Sequence, residues 1–146
     1  MNRIALARAA AQHGDFNALV DAIPYARFLG VRLRMDGERL LSHLPFRPGI
    51  VGNSTIQALH GGVTAAFMEN AALLHLLLRL DQERVPKSID FAIDYLLPGQ
   101  ALDTWAECKV SRAGVRVAQV QISCWQKSEK VPIAVARAHF LLTAPE

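Results

Sequence analysis

Two periodicities divide the chain. In its second half, apolar residues alternate with polar ones: Ile89, Phe91, Ile93 and Tyr95 share one side of residues 88–97, Leu102, Thr104, Ala106, Cys108 and Val110 share one side of the next run, and Ala118, Val120, Ile122 and Cys124 share one side of a third. A period of two is that of a half-buried strand. Pro98-Gly99, Ala113-Gly114 and Ser128-Glu129 interrupt these runs, and a last strand is expected over 131–142, where Ala134, Ala136 and Ala138 would let a helix approach closely. Upstream, residues 31–35 and 39–46 read as strands joined at Asp36-Gly37, a hairpin signature. Between these strand regions the period changes. From 60 to 80 there is no proline, glycine occurs only at 61 and 62, and Val63, Ala66, Phe67, Ala71, Leu74 and Leu78 recur every three or four residues. Ala65, Ala72, Leu73, Leu76 and Leu77 fill the other sides, so the helix is apolar nearly all round, as expected for one buried at the centre of a domain.

Short helices are predicted before the first strand, one ending at Gly14 and one over 16–23 ahead of Pro24. Residues 47–54, with Pro48, Gly49, Gly52 and Asn53, are too rich in turn formers for long regular structure. The order is therefore two strands, a long helix and four strands in a hairpin-connected run, whose short connections require antiparallel neighbours. An α+β fold, a curved antiparallel sheet wrapped around one long buried helix with short N-terminal helices, satisfies these constraints. The expected organisation is an N-terminal helical segment over 1–23 and a single domain over 24–146.

Composition narrows the function classes. With 146 residues, 51% hydrophobic and 20% charged, the chain has the means for one buried core, which excludes disorder. The longest nearly apolar run, 71–78, is interrupted by His75 and is far short of the roughly 20 residues of a bilayer span, so no membrane partner is expected. Sixteen basic against thirteen acidic side chains give +3 without a basic stripe; nucleic acid is not an expected partner, whereas a small anionic ligand suits this balance. Cys108 and Cys124 lie in apolar runs without metal or redox spacing and read as reduced core thiols, which points to the cytoplasm. The first fourteen residues contain Arg3 and Arg8 but lack the apolar stretch of a secretory signal. His13, His43, His75 and His139 form no metal-ligand spacing, and neither a metal nor a cofactor is expected.

Candidate chemistry gathers at the start of the long helix. His60-Gly61-Gly62 stands there, and Glu69 follows nine residues after His60. Glycines in a helix cost about 1 kcal/mol each relative to alanine unless something must approach the backbone. The first amides of a helix lack internal partners and sit at its positive end, so Gly61 and Gly62 could present N–H groups to a developing oxyanion; alternatively the pair only packs the helix on the sheet. Glu69 among Phe67, Met68, Ala71 and Ala72 would be costly to desolvate unless it is paired or used. A structural alternative is an acid that meets Arg79 or an arginine of a partner subunit.

The segment HGGVTAAFMENAA, followed by SIDFAIDYLLPG, VSRAGVRVA and VARAHFLL, resembles the hotdog-fold acyl-CoA thioesterases of the PaaI-like group, over about residues 24–143. The resemblance implies an acyl-CoA substrate and a homodimer or homotetramer with active sites between subunits. It implies that the Gly61 amide polarises the thioester carbonyl and that Glu69, from the other subunit, attacks it or activates water. A glutamate at this position resembles the 4-hydroxybenzoyl-CoA thioesterases. The family also has a polar side chain six or seven residues before the histidine, where Ser54 and Asn53 stand, and Asn53 is the preferred match. His60 is expected to orient the loop rather than transfer protons. Gly62 and Phe67 are expected at the substrate, and Arg112 and Arg116, flanking the Ala113-Gly114 turn, at the CoA phosphates. A hydratase or dehydratase of the same fold is an alternative that 43–49 faintly echoes, but His43 lies 26 residues before Glu69, too far for that family's loop. A non-catalytic acyl-CoA binding module is a third reading.

Overall fold

The structure, a computed structural model, describes residues 2–142. Three short helices, α1 (Arg3–His13), α2 (Phe16–Asp21) and α3 (Pro24–Leu29), precede a hairpin of β1 (Arg32–Asp36) and β2 (Arg39–Leu44). A single 3₁₀ turn, Pro48–Ile50, leads to the two-stranded ladder of β3 (Val51–Asn53) and β4 (Ala58–Leu59), then to the long helix α4 (Gly61–Arg79). Four strands complete the chain: β5 (Lys87–Tyr95), β6 (Thr104–Ala113), β7 (Val117–Trp125) and β8 (Ala134–Leu141). Residues 143–146, the end of the domain expected over 24–146, lie outside the described residues.

The main sheet has six antiparallel strands in the order β1-β2-β6-β7-β8-β5. This corrects one expectation. The last four strands are not a continuous run of hairpins, because β5 pairs with β8 at the far edge and not with β6. Pro98-Gly99 is part of an eight-residue crossing from 96 to 103. Three strand spacings separate β5 from β6, about 14 Å, and eight extended residues reach about 26 Å, so the short connection permits either arrangement.

α4 lies across this sheet. Its Thr64, Phe67, Met68, Ala71, Ala72, Leu74, Leu76 and Leu77 are buried, and they meet the inward side chains of β6, β7 and β8, among them Ala106, Ala118, Val120, Ile122, Ala134, Ala138 and Phe140. The alanines of β8 leave the room that a helix needs. By length and composition alone the 19 residues of α4 could cross a bilayer, but the buried side chains assign it to the core.

Local chemistry explains two departures from the sequence reading. Pro24 does not break the chain; it occupies the first position of α3, where the missing N–H has no intrahelical partner to lose. Ile89 does not follow Phe91 and Ile93 toward the core. A bulge between Ser88 and Asp90 takes it out of register, and it is 58% exposed. The N-terminal helices add Ala7, Ala10, Leu19 and Val20 to the same core. α1 packs on the C-terminal half of α4, and Arg8 pairs with Asp81 at 2.9 Å just beyond that helix.

Candidate active site

The start of α4 is built around one imidazole. His60 is extended (φ −63°, ψ 126°) and caps the helix: its Nδ1 accepts from the Gly62 N–H at 2.9 Å, a task usually given to a hydroxyl or carboxylate oxygen. An accepting Nδ1 places the ring proton on Nε2. The cap dictates the glycines around it. A Cβ on Gly62 would sit 2.8 Å from His60 Cε1, and one on Gly52 would sit 2.6 Å from His60 Cα. Gly62 is thus fixed by the capping ring, and its amide is occupied by His60, which removes the donor role expected of it. Gly52 escaped the sequence reading, since nothing in its spacing from His60 marks so close an approach.

Three of the first four amides of α4 have acceptors: Gly62 on the His60 ring, and Val63 and Thr64 on the His60 carbonyl at 3.0 and 3.2 Å. Among the described residues none accepts from the Gly61 N–H. The two bonds received by the His60 carbonyl polarise the His60–Gly61 peptide and make that free N–H a better donor. The Tyr95 hydroxyl, from the end of β5, donates to the Gly61 carbonyl at 2.6 Å and fixes the first turn from the other side. A Cβ on Gly61 would come within 3.3 Å of that hydroxyl. Beside it, a groove of about 330 Å3 runs between Gly61, Thr64, Leu59, Leu96, Leu97 and Ile133. A larger cavity of about 740 Å3 lies over Glu107, Gln121, Ser123 and Arg137 and includes none of the residues around Gly61. The chemistry of the Gly61 amide, not cavity size, marks the candidate site.

Glu69 is exposed on α4. This corrects the desolvation argument: its apolar neighbours in sequence lie on other faces of the helix, and within one protomer its carboxylate is in solvent. Eight residues separate it from Gly61, about 12 Å along the axis at about 1.5 Å per residue. Asn53 serves its own turn, with Oδ1 accepting from the Thr55 N–H at 3.1 Å and the Ile56 N–H at 3.4 Å. Phe67 is fully buried in the core and offers no surface to a ligand in the protomer, contrary to the expected substrate contact. Within one protomer, Arg112 and Arg116 are remote from Gly61. Tyr95 pairs with Ala134, which pairs with Cys124, while Val117, next to Arg116, pairs with Leu141 at the other end of the sheet. Seven residues of β7 separate those ends, roughly 23 Å.

His43 belongs to another cluster. Its Nε2 lies 2.9 Å from Asp103 Oδ2, and its ring stacks on Trp105 at 4.1 Å. The Phe46 N–H and then His43 hold the Asp103 carboxyl below the ordinary carboxylate range. The segment that faintly echoes a dehydratase loop is therefore anchored to Asp103. Both cysteines are buried and free, and burial pushes the Cys124 thiol up to about 12 and Cys108 further in the same direction, so neither is a nucleophile at neutral pH. Among the described residues no three His, Cys, Asp or Glu side chains cluster to hold a metal.

Residues 51–141 match the family described as the acyl-CoA thioesterase N-terminal domain. The chain belongs to this thioesterase family. It is 32% identical over 135 residues to the medium/long-chain acyl-CoA thioesterase YigI of Escherichia coli, covering 82% of this chain and 86% of that one. A Chromobacterium violaceum protein of known structure is 39% identical with a TM-score of 0.79 and complete coverage of both chains. The E. coli PaaI protein, at 19% identity and a TM-score of 0.72 over 88% of this chain and 90% of that one, shares the fold. The thioesterase thus has the hotdog fold and is a thioester hydrolase. The sequence motifs and the buried helix in its curved sheet agree with this assignment.

Proposed function

We propose that this thioesterase hydrolyses medium- to long-chain acyl-CoA at a site shared by two protomers, the Gly61 N–H of one facing Glu69 of the other. The observation that carries this reading is the free Gly61 amide, left open when the other three amides of its turn are satisfied. Such a donor stabilises an oxygen that becomes negative when the thioester carbonyl turns tetrahedral. Glu69 is too far along the same helix to reach that carbon, so the carboxylate must come from a second chain. Glu69 either attacks the carbonyl or removes a proton from an attacking water. In both routes the C–S bond breaks, the CoA thiolate leaves and takes up a proton, and water supplies the oxygen of the free acid. The acyl range follows the name of the E. coli relative, and the apolar Leu59, Leu96, Leu97 and Ile133 beside Gly61 are its candidate lining.

The two sheet edges favour β5 as the seam. β1 is five residues long and bears Arg32, Arg34 and Asp36, with Arg32 paired to Asp21 at 2.8 Å, the charged short edge that discourages pairing. β5 is nine residues long, and Ile89, Tyr95, Leu96 and Leu97 on and after it are about half exposed or more. An antiparallel pairing of two β5 strands about a two-fold axis extends the sheet and covers that surface. The reduced thiols fit a cytoplasmic enzyme.

A thiol-release assay over CoA esters of increasing chain length, run beside light scattering, tests the proposal. Turnover of medium and long chains by an oligomer supports it. Saturable binding without turnover transfers the chain to the binding-module reading, and full activity as a 16.0 kDa monomer removes the shared site.

A further inference from the structure

Within one protomer Arg112 and Arg116 lie at the far end of the sheet from Gly61, and a surface nearer to Gly61 offers a contact for the anionic end of CoA. On α3, Tyr25 is 51% and Phe28 66% exposed, and their rings stack with centroids 6.0 Å apart. Two adjacent large aromatics in solvent are unusual for a surface that stays uncovered. The Arg47 guanidinium lies 5.5 Å over the Phe28 ring, held by its Nη2 donating to the Phe28 carbonyl at 2.7 Å. That bond uses one of five N–H donors. Neither Arg47 nor Arg27, which is exposed on the same helix, pairs with an acid among the described residues.

This patch is tied to the candidate site. The Arg47 carbonyl accepts from the Ile50 N–H at 3.2 Å, and the Ile50 carbonyl accepts from the His60 N–H at 2.9 Å, one residue before Gly61. The backbone path from Arg47 to Gly61 is thus one 3₁₀ turn, one hydrogen bond and one peptide, roughly 15 Å. A pantetheine arm, with two amides and the length of about five extended residues, spans roughly 17 Å.

We infer that Tyr25, Phe28 and Arg47 form the nucleotide subsite of this thioesterase, stacking the adenine of CoA and binding its phosphates. The inference rests on the CoA-thioester reading of the Gly61 site. Aromatic rings and guanidinium planes stack a base from its π-face, and the free guanidinium donors match phosphate oxygens. The combination selects an adenosine phosphate over a simple anion or an apolar partner.

The test uses the full chain and adenosine 3′,5′-bisphosphate as the calorimetric probe. Wild type binds it, and Phe28→Ala and Arg47→Gln each bind it about five- to a hundredfold more weakly. In kinetics, the preference for an octanoyl-CoA ester over the octanoyl ester of N-acetylcysteamine, which lacks the nucleotide, shrinks by a similar factor. No binding of the probe by wild type, or wild-type affinity in both variants, overturns the inference. So does a loss of oligomer by light scattering with equal loss on both esters, which gives the patch to a second protomer. Variant-sensitive probe binding with no hydrolysis of either ester supports the subsite and rejects the hydrolase reading of Gly61 and Glu69.

Discussion

The two halves of α4 are built from similar residues and do different work. From Asn70 to Leu78 no side chain is exposed: α1 packs on this half, Arg79 donates to the Glu38 carbonyl at 2.5 Å, and Arg8 pairs with Asp81 beyond the helix end. From Gly61 to Glu69 the inner face is equally buried through Thr64, Phe67 and Met68, but Gly62 and Glu69 are exposed and the Gly61 amide has no acceptor among the described residues. Apart from the His75 Nδ1, one half meets its requirements among the described residues. The other leaves a donor and an acid open on a helix that is otherwise used for packing. Stability and reactivity are therefore expected to separate along a single helix, and substitutions can test that separation.

The largest effect is expected at Gly61. Proline at the first helical position is favourable, and the extended His60 (ψ 126°) is the backbone that a residue before proline prefers. Gly61→Pro removes the N–H and should lower turnover by about 10²–10³, whereas Gly61→Ala, which brings the same Cβ to within 3.3 Å of the Tyr95 hydroxyl but keeps the N–H, should lose much less. Wild-type turnover in a folded Gly61→Pro enzyme would show that the open amide is idle. Glu69→Gln keeps the shape and should lower kcat by at least about 10²-fold with KM little changed, while its thermal stability stays within about 0.5 kcal/mol of wild type because the side chain is exposed.

In the covered half the pattern reverses. Leu74 is fully buried, and Leu74→Ala should cost about 2–5 kcal/mol in chemical denaturation while the folded fraction keeps its kcat. A large fall in kcat there would contradict the division of labour. His75 sharpens the comparison through pH. Burial, and then Arg79, lower its pKa, with Glu107 opposing, and its buried Nδ1 has no partner among the described residues. Its folded pKa is below the unfolded value of about 6.5, so stability is complete above that pH and is lost as pH falls through the folded value. The melting temperature should decline below about pH 6.5, and His75→Met should flatten the decline. Arg8→Ala, which removes the exposed pair with Asp81, should cost no more than about 1 kcal/mol.

The same contrast explains what the sequence disclosed. Periodicity located α4 and the strands because each element has its own spacing of apolar residues, and His60-Gly61-Gly62 was legible because glycines at a helix start demand a reason. Spacing along the chain says nothing about which strands become neighbours, so the position of β5 beside β8 was not legible. Glu69 was singled out for the wrong local reason: its sequence neighbours are apolar, but the helical turn carries them to other faces. Asn53 and Phe67 illustrate the same limit, one engaged by the Thr55 and Ile56 amides and the other enclosed in the core. The Tyr95 hydroxyl on the Gly61 carbonyl joins residues 34 apart, and only the end of β5 meeting the start of α4 makes that bond visible.

The central claim is that Gly61 and Glu69 act on one substrate from two chains, and mixed dimers test it most directly. Gly61→Pro and Glu69→Gln chains, each with a different affinity tag, are co-expressed, and the doubly tagged dimer is isolated and assayed against both parent homodimers. In the mixed dimer one site pairs an intact Gly61 with an intact Glu69, and the other site has neither. The account predicts recovery of about half the wild-type turnover per dimer from two parents that are each at least about 10²-fold impaired. A mixed dimer as inactive as its parents would contradict it.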